Sequence, residues 1–183
     1  MKNKMNKIIE AIKTKRWVHY LIIVIIGLLI SIPFLLVQLY LSDDGKYHLL
    51  RLIGLDNSME YGSFPFLVFP FFCKNWGYSM MTFYPQLVTY IPYVLGLISG
   101  AFSTGLKIFA SLTVVFSGIF MYNLVNEVTK KKGVAFLSAI LYMIFPYRFE
   151  CLFNRFAIGE FTAFVFIPIV FQGLYNLLQG DKK

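Results

Sequence analysis

Four long apolar runs alternate with short charged clusters along the chain. Residues 17–41, WVHYLIIVIIGLLISIPFLLVQLYL, hold 25 positions without an acidic or basic charge, counting His19 as neutral. About 20 residues cross the hydrocarbon at 1.5 Å of rise each, so this run predicts a tilted transmembrane helix. It is too long for the apolar region of a signal peptide, and no small-residue cleavage site follows, which predicts an uncleaved anchor. Further runs at 106–125, 134–147 and 161–178 predict three more spans, the third of them short for the hydrocarbon, with Arg148 snorkelling at its end. Residues 84–100, YPQLVTYIPYVLGLISG, are apolar but interrupted by Pro85, Pro92, Gly96 and Gly100. Such breaks suit a re-entrant or interfacial element better than a lipid-exposed span. The expected fold is all-α: a basic N-terminus at 1–16, then a multi-pass transmembrane domain over 17–183, with an outer loop at 42–104.

Composition and charge turn this pattern into a topology. Of the 183 residues, 58% are hydrophobic and 14% charged, against roughly 45–50% and 25% in soluble domains. An excess of that size does not fit inside one small core. The formal charge of +8 sits mainly beside the apolar runs: six basic residues fall within the first sixteen, and KKK occupies 130–132. Positively charged loops stay cytoplasmic, so four spans with 84–100 not crossing put every basic cluster on that side. The chain is then a multi-pass protein of the cell membrane with its N-terminus in the cytoplasm. This placement of charge also argues against a nucleic-acid partner, because no basic soluble face remains. Cys73 and Cys151 lack metal-ligand spacing; they are either two unpaired thiols among aromatics or, in an oxidising exterior, a disulfide.

Two polar constellations fall on the predicted outer face. In SDDGKYHLLRL (42–52), Asp44, Tyr47, His48 and Arg51 follow i, i+3, i+4, i+7 and form one helical stripe, with Leu49, Leu50, Leu52 and Ile53 largely opposite. This reads as an amphipathic helix along the membrane surface whose polar stripe faces either water or a protein cavity. Ser42 or Asp43 is placed to cap it, and ordinary capping and dipole matching account for part of the charge. Ionisable groups at the edge of the bilayer nonetheless point towards function. In FPYRFECLFNRFAIGE (145–160), Arg148, Glu150, Arg155 and Glu160 either neutralise one another or present guanidinium forks to a phosphate. The aromatic stretch 62–85 either packs at the interface or lends Trp76, Tyr78 and Tyr84 to a sugar subsite. No Gly-rich phosphate loop, H-E-x-x-H, G-x-S-x-G or C-x-x-C is present, and the inner loops are too short for a nucleotide-binding domain.

Taken in order, D-x-x-Y-H-x-x-R (Asp44 to Arg51), YGSFPF (61–66), NWGYSMMTFYPQLVTYIPY (75–93), FPYR (145–148) and NRFAIGE (154–160) resemble the N-terminal part of bacterial membrane glycosyltransferases of the GT-C architecture. The resemblance implies sugar transfer from a polyprenyl-phosphate donor at the extracytoplasmic face. It implies Asp44 or Asp43 as the catalytic carboxylate, acting as general base on an acceptor hydroxyl. It implies that Arg51, Arg155 and Arg148 hold the donor phosphate, with Glu160 in the same substrate-binding set. His48 would either orient the carboxylate or touch the phosphate. Some relatives of this kind carry an Asp-bound divalent metal; no residue set here calls for one. Proteins of this architecture usually have several hundred residues and eight or more spans, so a downstream polypeptide is expected to complete the fold. The competing expectation is a non-enzymatic membrane component that binds or helps move lipid-linked glycans, or an inactive truncated remnant.

Overall fold

The computed structural model describes residues 15–36, 38–59 and 64–180. Most of the basic segment 1–16, the YGS of YGSFPF and the C-terminal residues 181–183 lie outside the described residues. Apart from two four-residue helical turns at Phe72–Asn75 and Met80–Phe83, the helices are, in chain order, α1 (Arg16–Leu36), α2 (Gly45–Met59), α3 (Leu87–Ser99), α4 (Phe102–Thr129), α5 (Lys132–Met143), α6 (Pro146–Phe149, continuing as a π-helical turn over Glu150–Asn154) and α7 (Ile158–Gln179). Among the described residues there is no strand; one isolated bridge pairs Phe69 with Tyr78. The protein is all-α.

Three helices, α1, α4 and α7, are long and apolar enough to cross a membrane, and the bent pair α5–α6 makes four if it counts as one span. The bend is 43°. Its cause is local: Phe145 precedes Pro146, which disfavours helical backbone at Phe145 and suits the first position of a new helix. The short third span expected at 134–147 thus coincides with a bent helix pair, the shape of a broken span or of a re-entrant loop. At 13 residues, α3 is only about 20 Å long, less than the hydrocarbon thickness. The first span ends at Leu36, five residues earlier than its apolar run, because the chain turns through a 3₁₀ segment at Leu39–Leu41.

The chain forms two compact units. The first comprises residues up to Pro33, Ser111–Phe149 and Phe161 onward. Its core is built by Ile23, Val114, Tyr122, Ala135, Ala139, Met143 and Phe161. Small residues let helices approach closely: a Cβ on Gly118 would collide with Met143 Sδ, and one on Gly27 would lie 2.7 Å from Val115 Cγ2. Polar groups inside the unit join helices: His19 Nδ1 and Tyr122 Oη lie 2.9 Å apart, and Asn123 Oδ1 accepts from Tyr20 Oη and Arg16 Nη2. The exposed faces of α1 (Leu21, Ile25, Leu28, Leu29) and α7 (Phe166, Val170, Phe171, Leu174) are apolar, as lipid-facing surfaces require.

The second unit comprises Phe34–Ala110 and Glu150–Glu160. Phe34, Leu52, Leu55, Phe69, Met81, Leu106, Cys151, Leu152 and Phe156 fill its core. Tyr93 Oη donates to Asp56 Oδ1 at 2.8 Å and ties α3 to α2. α3 and α4 touch backbone to backbone, since a Cβ on Gly105 would collide with Gly96 N and Pro92 O. Lys107 Nζ donates to Leu35 O at 2.9 Å, a cation at the negative end of α1.

Candidate functional site

The site is built from the turn that follows α1. Ser42 Oγ donates to Leu39 O at 2.6 Å and closes the 3₁₀ segment rather than capping α2. α2 begins at Gly45, where only glycine fits: a Cβ would collide with Leu39 O and Ser42 Oγ. The first α2 hydrogen bond, His48 N to Asp44 O at 3.0 Å, leaves Asp44 at the N-cap position. Between these points two backbone donors reach across the sequence. Asp43 N donates to Asn154 O at 3.1 Å, and Asp44 N donates to Arg155 O at 2.9 Å. The D-x-x-Y-H-x-x-R and NRFAIGE stretches, distant in sequence, are thus pinned together in the second unit.

One turn into α2, His48 is 4% exposed. The buried face of this helix carries His48, Leu52, Leu55 and Ser58, whereas Tyr47 and Ile53 are exposed. The polar stripe and the leucine face do not separate as the spacing alone predicts: His48 turns inward with the leucines. Its ring lies 5.8 Å, edge-on, from that of Phe156, and Phe156 in turn stacks on Phe34 at 5.2 Å.

Arg51 is half-buried and held from three sides. Its Nη1 lies 2.8 Å from His48 Nδ1, its Nε donates to Met80 Sδ at 3.0 Å, and its Cζ sits 3.7 Å above the Tyr84 ring centroid. A guanidinium can only donate, so His48 Nδ1 accepts and the imidazole proton resides on Nε2. Nε2 itself is buried without a hydrogen bond of ordinary geometry. Burial, and then the Arg51 charge, push the His48 pKa down to about 3, against a weaker upward pull from the Phe156 backbone. Burial also raises the Tyr84 hydroxyl, opposed by the Arg51 charge. Every partner of Arg51 is neutral, and no ion pair to Arg51 occurs among the described residues.

Arg155 is held differently. Its Nη2 and Nη1 donate to Glu160 Oε1 and Oε2 at 2.7 and 3.0 Å, a two-pronged pair. Cys151 Sγ donates to the same carboxylate at 3.2 Å. Neither cysteine is in a disulfide; Cys73 is exposed and Cys151 buried.

Of the residues expected to act together, Asp43 (exposed), Asp44 (half-buried), His48, Arg51, Arg155 and Glu160 all belong to the second unit. Arg148 belongs to the first. Far from snorkelling, it is 1% exposed, donates through Nη2 to Thr113 O at 2.9 Å and lies 5.2 Å from the Phe164 ring centroid. Trp76 and Tyr78 are exposed. Met80 and Tyr84 complete the Arg51 setting; Tyr84 was an aromatic candidate by composition, but no local spacing links either residue to Arg51. No group of three or more His, Cys, Asp or Glu able to hold a metal ion occurs among the described residues.

No family model matches the chain. It is similar to a protein of Lactococcus lactis subsp. cremoris (strain MG1363) described as an uncharacterized protein, with 25% identity over 177 residues covering 92% of this chain. The chain spans 28% of that relative's length. No solved structure matches it.

Proposed function

We propose that the chain is a membrane glycosyltransferase-like protein, or the N-terminal part of one, that transfers sugar from a polyprenyl-phosphate donor at the extracytoplasmic face. The observation that carries this reading is the backbone pairing of Asp43 and Asp44 with Asn154 and Arg155, which gathers a carboxylate and two guanidinium groups in one unit. In this reading Asp44 takes the proton of the acceptor hydroxyl as its oxygen bonds the sugar's anomeric carbon. The bond from that carbon to the donor phosphate breaks, and the electron pair leaves on the phosphate. Arg51, which has no carboxylate partner among the described residues, stabilises the charge that develops there. A further polypeptide supplies the helices that hold the lipid tail, and the N-terminus lies in the cytoplasm of a cell-membrane protein.

The alternative component, which binds or helps move lipid-linked glycans, needs Arg51 and not Asp44. In membranes of the producing cell, Asp44→Asn is expected to lower transfer from a radiolabelled polyprenyl-phosphate sugar by about 10²–10⁴-fold with normal membrane insertion. Unchanged transfer in both Asp44→Asn and Asp43→Asn membranes would remove the general base and leave the binding component.

A further inference from the structure

We propose that His48 is a positioning residue: its neutral imidazole fixes Arg51 as a cation with no counter-ion among the described residues, ready for a phosphate group. The inference deepens the reading above, because it concerns how the anion-holding guanidinium of the same site is prepared.

Three observations support it. Arg51 needs a firm acceptor to hold one orientation, and His48 Nδ1 supplies it at 2.8 Å from a position 4% exposed. A carboxylate in that place would hold Arg51 more tightly but would also cancel the charge, as Glu160 does for Arg155. The remaining contacts of Arg51, the Met80 thioether and the Tyr84 ring, fix its plane without adding negative charge. The titratable groups around the imidazole are Arg51 and Tyr84, with the charge of Asp44 reaching Tyr84. Burial and Arg51 keep His48 unprotonated well below neutral pH, so its acceptor lone pair is present throughout the physiological range. Proton loss from Nδ1 is not a step in the chemistry; His48 acts through Arg51.

The full chain in lipid nanodiscs provides the test. The sequence has two histidines, so ¹⁵N-histidine NMR resolves His48 once His48→Asn identifies its signals. The expected spectrum shows a neutral ring with bare Nδ1 and protonated Nε2 from pH 8 to pH 5. Proton uptake above pH 5, or the opposite tautomer, overturns the proposal whatever the ligand. Binding of farnesyl phosphate forms the second arm. His48→Phe is expected to weaken binding about tenfold, and His48→Asn, whose side-chain oxygen can replace Nδ1, by less than about threefold. In an Arg51→Lys background, His48→Phe should add little, since the geometry it protects is already lost. An unchanged affinity in His48→Phe, or the same tenfold loss on top of Arg51→Lys, contradicts a role exerted through Arg51. If the NMR result holds and inorganic phosphate binds as well as farnesyl phosphate, the clamp stands for phosphate in general and the lipid-linked donor falls. If the NMR result holds and neither probe binds the wild type, the phosphate role falls with the donor.

Discussion

Arg51 and Arg155 occupy one unit and are secured by opposite means. Arg155 meets the Glu160 carboxylate through two hydrogen bonds, and its charge is cancelled where it sits. Arg51 meets an imidazole nitrogen, a thioether and an aromatic ring, which orient it and leave its charge uncompensated. Partly burying a cation without a counter-ion is costly, and the same chain holds the cheaper arrangement at Arg155, more than half of its length further along. The contrast assigns the two residues different work. Arg155 clasps the 150–160 segment on which Asp43 and Asp44 are pinned, and in the proposed function Arg51 is the one kept available for an anion.

The most severe way to break this contrast is to make Arg51 resemble Arg155. Met80→Glu places a carboxylate beside the Arg51 guanidinium, and farnesyl phosphate binding is expected to fall about thirtyfold or more, by titration in nanodiscs. Gly45→Ala tests the turn that carries the aspartates: its Cβ would meet Leu39 O and Ser42 Oγ, so the chain should lose about 1–3 kcal/mol of stability in reversible unfolding. A pH series sharpens the neutral clamp. The His48 pKa is depressed in the folded state, so its contribution is fully present above pH 6.5 and is lost as pH falls towards about 3, where the unfolded chain holds a proton that folded His48 refuses. His48→Asn should flatten that loss. The smallest effect belongs to the Arg155–Glu160 pair. Its side chains are 36% and 38% exposed, so solvent screening limits the coupling in a double-mutant cycle to about 0.5–1 kcal/mol.

The spans were legible because length and apolar continuity alone separate them from soluble helices. α4 runs from Phe102 to Thr129, past both ends of its apolar run, because polar Ser103, Thr104 and Asn126 are as compatible with helix as their apolar neighbours. α1 stops short of its run because helix length also depends on where the following turn is anchored, here by Ser42 and Gly45. At the site, the three- and four-residue spacings correctly brought Asp44, His48 and Arg51 to neighbouring turns. Spacing did not reveal that His48 shares the buried face with Leu52 and Leu55, since a helix wheel orders residues around an axis without saying which side is covered. Met80 contacts Arg51 across a sequence separation of 29 residues, a pairing that no local period encodes. Arg148 was misplaced for a related reason: beyond the Pro146 break its direction is set by packing on Thr113 and Phe164.

In the proposed function Arg51, and not Arg155, is the guanidinium that receives an anion. Farnesyl phosphate binding to Arg51→Ala and Arg155→Ala chains in nanodiscs, each confirmed as folded, tests it most directly. The expected loss is about thirtyfold or more for Arg51→Ala and less than about threefold for Arg155→Ala. Retained binding in Arg51→Ala together with lost binding in Arg155→Ala would contradict it.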